Sequence, residues 1–154
     1  MSIRTRDLPE HVAAAIARHE AKGAIVKPAS RTVVLNLPWP PTINHYYGNR
    51  VARSKAGKAI VMTYLTARGR QFRTVVAKAV GLYDVKLAGP LEMTVSLHPP
   101  TNARRDVDNI LKAMLDALQH AGLYADDSQV KALHVYMGVK IEGGAANVTV
   151  KEQA

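Results

Sequence analysis

The stretch RRDVDNILKAMLDAL, Arg104–Leu118, sets two arginines against Asp106 and Asp108, and Lys112 follows four positions after Asp108. A second acidic pair, Asp126-Asp127, comes after Gly122. Two carboxylates one residue apart, at the passage from a loop into a helix, can converge on one cation. The chain has no cysteine, and the cluster offers no obvious set of histidines. Oxygen donors of this kind favour Mg²⁺ or Mn²⁺ over Zn²⁺. Held there, a hard cation can bind a phosphodiester oxygen, acidify a water and stabilise a leaving oxygen. A nearby ammonium can neutralise charge on the pentacoordinate phosphate or orient the attacking water. Each acid also has a plainer reading. Asp106 suits a helix N-cap, and Asp126-Asp127 suits a polar turn. Asp108 and Lys112 suit an exposed i,i+4 pair worth roughly 0.3 kcal/mol.

For these groups to work, a helix must present them. From about Val107 to His120, the apolar positions Ile110, Leu111, Met114, Leu115, Leu118 and Ala121 form one arc that should face a core. Asp108, Lys112, Asp116 and Gln119 lie on the other face. Such a helix is roughly 21 Å long, so Asp127 joins the cluster only if the chain doubles back after Gly122.

The remaining elements read as mixed α/β, with four or five strands and two or three helices. Thr32–Leu37 alternates as a strand, stopped by Pro38, Pro40 and Pro41. Asn44, His45, Tyr46 and Tyr47 read as a loop whose aromatics could stack on bases or sugars, while Trp39 reads better as a lid on the core. Arg50, Arg53, Lys55 and Lys58 read as a basic loop before a strand, Ile60–Leu65. A helix capped by Thr66 follows, with Phe72, Val75, Val76 and Ala79 on its apolar face and Arg68, Arg70, Arg73 and Lys78 on its polar one. Leu91, Met93, Val95 and Leu97 alternate with polar residues in a clear strand. Val130, Ala132, Val135, Met137 and Val139 alternate again, with the register breaking near Leu133. Gly143-Gly144 signals a hairpin before a last strand, Asn147–Val150. Residues 1–30 read as an extension, a short helix and a linker, ahead of a single domain over 31–154.

Composition sets the partner class. Against 21 Lys+Arg stand 12 Asp+Glu, a net charge of +9. Such an excess favours a polyanion, nucleic acid foremost, although solubility alone would also account for it. Five acids, Asp106, Asp108, Asp116, Asp126 and Asp127, fall within 22 residues, where a purely electrostatic DNA binder would avoid them. No apolar run approaches a membrane span and no signal peptide is evident, so the expectation is a cytoplasmic protein without disulfides.

The segments LPWPPTINHYYG, RRDVDNILKAMLDAL and HAGLYADDSQV, in this order, closely resemble the RusA family of Holliday junction resolvases. The resemblance runs from about Arg31 to Lys151. It implies a compact α/β homodimer that makes paired, symmetric nicks in four-way DNA junctions with Mg²⁺, Mn²⁺ substituting, in a bacterial or phage-infected cell. It implies catalytic roles for Asp106, Asp108, Lys112 and Asp127, with the three acids as metal ligands and Asp126 as a secondary acid. Arg50, Arg53, Lys55, Lys58, Arg68, Arg70, Arg104 and Arg105 are the candidate DNA contacts. Residues 1–30 and the segment between Tyr47 and Thr66 depart from the compact family pattern. The alternatives are a non-catalytic branched-DNA-binding protein of the same fold, a metal-dependent nuclease for another branched substrate or RNA, and an assembly protein.

Overall fold

Strict alternation makes the central strand. In LEMTVSLH, every second side chain is apolar, and Leu91, Met93, Val95 and Leu97 are fully buried on one face. The computed structural model describes residues 31–153; the expected N-terminal helix and linker lie outside them. In chain order the elements are β1 (Thr32–Pro38), α1 (Ile43–Tyr46), β2 (Tyr47–Arg53), β3 (Ala59–Leu65), α2 (Ala67–Gly81), β4 (Leu91–His98) and α3 (Val107–His120). A 3-10 turn, Asp127–Gln129, then leads into β5 (Val130–Met137), and β6 (Ala145–Glu152) closes the chain.

Four strands form a mixed sheet in the order β1-β6-β4-β5, with β5 parallel to β4 and the other pairs antiparallel. Its core face carries Val33, Leu35 and Leu37 of β1, the four apolar residues of β4, and Ala146, Val148 and Val150 of β6. Packed with them are Phe72, Val76 and Val80 of α2 and Ile110, Ala113, Met114, Ala117 and Leu118 of α3. The result is the expected mixed α/β architecture, with the helices packed on the four-stranded sheet. No helix among the described residues is long and apolar enough to cross a membrane.

Several details depart from the sequence expectation. The loop expected at Asn44–Tyr47 is a single helical turn running directly into β2. The basic loop expected at Arg50–Lys58 is a loop only over residues 54–58, its first four residues being strand: β2 and β3 pair as a separate two-stranded ribbon, Arg50 opposite Met62 and Arg53 opposite Ala59. Its tip carries Lys55 and Lys58. On α2, Val75 is exposed and Val80 takes the core position instead. The Gly143-Gly144 turn has the positive φ angles of a hairpin, 75° and 70°. Yet β6 does not pair with β5, because β4 lies between them. The break near Leu133 is a bulge: Leu91 faces Val130, but Glu92 faces Ala132. One extra residue thus returns Leu133, Val135 and Met137 to the same face as Met93, Val95 and Leu97.

Candidate active site

A parallel strand pair needs a long crossover, and here α3 is that crossover between β4 and β5. The loop after His98 delivers Asp106 to the N-cap of α3 and Asp108 to its first turn. Asp106 has extended backbone, as an N-cap should, but its side chain makes no capping hydrogen bond. Asp108 has no hydrogen bond or ion pair among the described residues, so both carboxylates stay available at the positive end of the helix. The exposed i,i+4 pair that is the plainer reading of Asp108 and Lys112 is not formed. Lys112 turns instead one helical turn onward and donates to Asp116 Oδ1 at 2.9 Å.

After α3, Gly122 takes a left-handed φ of 81°, and the chain doubles back. Tyr124 is buried, and its hydroxyl donates to the Leu115 carbonyl at 3.0 Å, tying the return segment to α3. Burial pushes its phenol well above the usual range. Asp127 thereby comes to lie 3.9 Å from Lys112 Nζ. The hydrogen bond to Asp116 raises the Lys112 ammonium above its ordinary pKa, with Asp127 adding to the same effect.

Asp126 does different work. Its carboxylate accepts from Ser128 N at 2.8 Å, while Gln129 Oε1 accepts from Asp126 N at 3.1 Å. This reciprocal capping box holds the 3-10 turn, and the Ser128 hydrogen bonds lower the Asp126 pKa. Gln129 also donates to the Leu87 and Gly89 carbonyls, at 3.2 and 3.0 Å. Asp126 thus fixes the turn that aims Asp127.

Asp106, Asp108 and Asp127 supply only hard oxygen donors, a match in chemistry to Mg²⁺ or Mn²⁺. Among the described residues, however, no group of three acidic, histidine or cysteine side chains stands in an arrangement that could hold a metal ion.

The basic candidates divide. Arg50, Arg53, Lys55 and Lys58 are exposed along the ribbon, and Arg68 and Arg104 are exposed on α2 and on the loop before α3. Arg70 donates to the Leu65 carbonyl at 2.7 Å. Arg105 is committed to its own loop, donating to the carbonyls of Thr101 and Ala103 at 2.7 and 2.6 Å.

A family model described as Endodeoxyribonuclease RusA matches residues 38–151. The chain belongs to the RusA family. It is 35% identical over 123 residues to the crossover junction endodeoxyribonuclease RusA of Escherichia coli strain K12, a match covering 79% of this chain and 95% of that protein. The same identity and coverage hold for the crossover junction endodeoxyribonuclease of Enterobacteria phage 82. The corresponding protein of Shigella sonnei is 34% identical over the same share of each chain. Asp106, Asp108, Lys112, Asp126 and Asp127 all fall inside the matched span.

In sequence, Tyr47, Arg73 and Asp116 read only as a loop aromatic, a helix-face base and a helix-face acid, none of them assigned to the site; the fold links all three to Lys112. Asp116 was legible as the residue four positions beyond Lys112. Tyr47 and Arg73 come from distant segments, and only tertiary packing brings them there.

Proposed function

We propose that this protein is a crossover junction endodeoxyribonuclease that resolves four-way DNA junctions by paired, symmetric phosphodiester cleavage. The observation that supports this is the ion pair of Asp127 with Lys112, 3.9 Å apart, Lys112 standing on the helix that begins with Asp106 and Asp108. Within a RusA-family chain, that arrangement sets the Lys112 ammonium between Asp116 of α3 and Asp127 of the return segment. By resemblance to the family, Asp106, Asp108 and Asp127 would hold Mg²⁺, with Mn²⁺ substituting, once brought closer together than the described structure places them. When bound, such an ion supplies Lewis acidity to a phosphate oxygen and lowers the pKa of water. Lys112 offers its ammonium to the charge that builds on the phosphate. The exposed bases of the ribbon, with Arg68 and Arg104, hold the flanking strands by their phosphates. A two-fold substrate calls for two sites in the same symmetry, so the functional unit is assigned as a homodimer.

Cleavage of a synthetic four-way junction, with both nicked strands read on a denaturing gel, tests the proposal. Mg²⁺-dependent cuts at symmetric positions are expected, with Asp108→Asn reducing cleavage at least about a hundredfold. Binding without cutting in either Mg²⁺ or Mn²⁺ would instead make the chain a branched-DNA-binding protein.

A further inference from the structure

Lys112 is not held by Asp116 alone. A directional chain of hydrogen bonds runs to it from α2. The Arg73 guanidinium donates through Nε to Tyr46 Oη at 2.6 Å and through Nη2 to Tyr47 Oη at 3.3 Å. Tyr47 in turn donates to Asp116 Oδ2 at 3.3 Å. Asp116 Oδ1 accepts from Lys112 Nζ at 2.9 Å. Both oxygens of Asp116 are therefore engaged, one by a neutral donor and one by the ammonium.

We propose that Arg73, Tyr47 and Asp116 form a positioning relay that fixes the Lys112 ammonium for cleavage.

Three features support this over an incidental surface pair. Asp116 is well covered, its side chain 16% exposed against 55% for Lys112, so the carboxylate is the fixed member and the lysine the aimed one. The donors behind it are rigidly seated. Tyr46 is fully buried, its ring edge-on to Tyr47 at 4.7 Å, and Arg73 lies over the Tyr46 ring at 5.4 Å. Finally, α1 is pinned to α2: Thr66 N and Oγ1 donate to the Tyr46 carbonyl at 3.0 and 3.2 Å. Gly69 supports that packing, since a Cβ there would collide with the Tyr46 carbonyl oxygen. The relay thus joins the start of β2, the middle of α2 and the middle of α3. A free lysine carries large rotamer entropy; a preset carboxylate removes much of that freedom before substrate arrives.

This inference rests on the proposed nuclease activity only for its kinetic readout. Tyr47→Phe keeps the ring and deletes one hydroxyl, and Asp116→Asn keeps the shape and deletes the charge. In single-turnover cleavage of a four-way junction, Tyr47→Phe is expected to slow the rate about tenfold, and Asp116→Asn up to about a hundredfold. Junction affinity measured in chelator should stay within about twofold, because none of the three residues is asked to bind DNA. Loss of affinity in parallel with rate would overturn the relay and make these residues structural. A second measurement needs no activity: nitrogen-detected NMR of lysine ammonium groups. The relay predicts one slowly exchanging ammonium signal that disappears in Lys112→Met and in Asp116→Asn and broadens in Tyr47→Phe. A spectrum with no such signal, or one unchanged by Asp116→Asn, would overturn it. If the wild-type protein cuts no junction, the proposed activity fails while this spectrum still judges the relay.

Discussion

The Arg105 guanidinium sits over the Trp39 ring, 5.5 Å from its centroid. The side chain that immediately precedes Asp106 is thereby anchored to the segment leaving β1, and its remaining donors close the Thr101–Ala103 loop. Although Arg104 and Arg105 are neighbours, the structure gives them different tasks. Arg105→Ala is expected to destabilise the fold by about 2 kcal/mol, through removal of its carbonyl hydrogen bonds and its cation–π interaction. Arg104→Ala should leave stability unchanged and weaken DNA binding. Denaturant titration and fluorescence anisotropy separate the two; equal loss of stability in both variants would contradict the assignment.

The ribbon predicts a salt signature. Lys55 and Lys58 flank its tip, where a two-stranded ribbon fits a DNA groove. Replacing both with Gln should lower the slope of log affinity against log salt by about 2 in magnitude, one for each phosphate no longer neutralised. Protein stability should not change, since both side chains are exposed. An unchanged slope would move the DNA-binding face away from the ribbon.

The proposed metal site predicts a stability shift. Mg²⁺ that binds the native protein alone should stabilise it by about 2.7 kcal/mol at a concentration one hundred times its dissociation constant. Asp106→Asn, Asp108→Asn or Asp127→Asn should each reduce that gain. In chelator the same substitutions should each change stability by no more than about 1 kcal/mol, because all three carboxylates are exposed. Thermal unfolding at a series of Mg²⁺ concentrations checks this, and a shift that survives all three substitutions would place the ion elsewhere.

Glu152 predicts a loss of stability in acid. Its carboxylate accepts from Gly89 N at 2.6 Å and from Ala88 N at 2.8 Å, and these two bonds, Gly89 first, hold its pKa below the ordinary 4.5. A carboxyl whose pKa falls on folding stabilises the native state above its unfolded pKa. That contribution is lost as pH drops through the lower, folded value. Glu152→Gln should therefore be less stable than wild type at pH 7 by about 1 kcal/mol, small because solvent reaches the carboxylate. The difference should shrink steadily below pH 4.5. A pH-independent difference would mean that packing, not charge, explains the effect.

Where periodicity was strong, the sequence was a good guide. Alternation over Leu91–His98 and the apolar arc of Val107–His120 each matched an element of the fold. The acids that open α3 were recognisable because spacing along one segment is a local property. What sequence could not show depended on partners. Val75 and Val80 are equally apolar, and only the angle of α2 against the sheet decides which is buried. The Gly143-Gly144 turn announced a reversal, but not which strand would accept β6. The bulge near Leu133 appeared as a broken pattern with no visible cause. Tyr47, Arg73 and Asp116 lie on three elements, and no spacing rule connects them.

The parallel pairing of β4 with β5 has a kinetic consequence. These strands cannot find each other through a short turn, because every residue between them must first be arranged on one side of the sheet. That intervening chain is the one bearing Asp106, Asp108, Lys112 and Asp127. A newly made molecule therefore cannot finish its sheet early and assemble its chemistry later. The long-range closure that completes the sheet is the same event that would assemble the proposed site, so partly folded molecules are expected not to cut DNA.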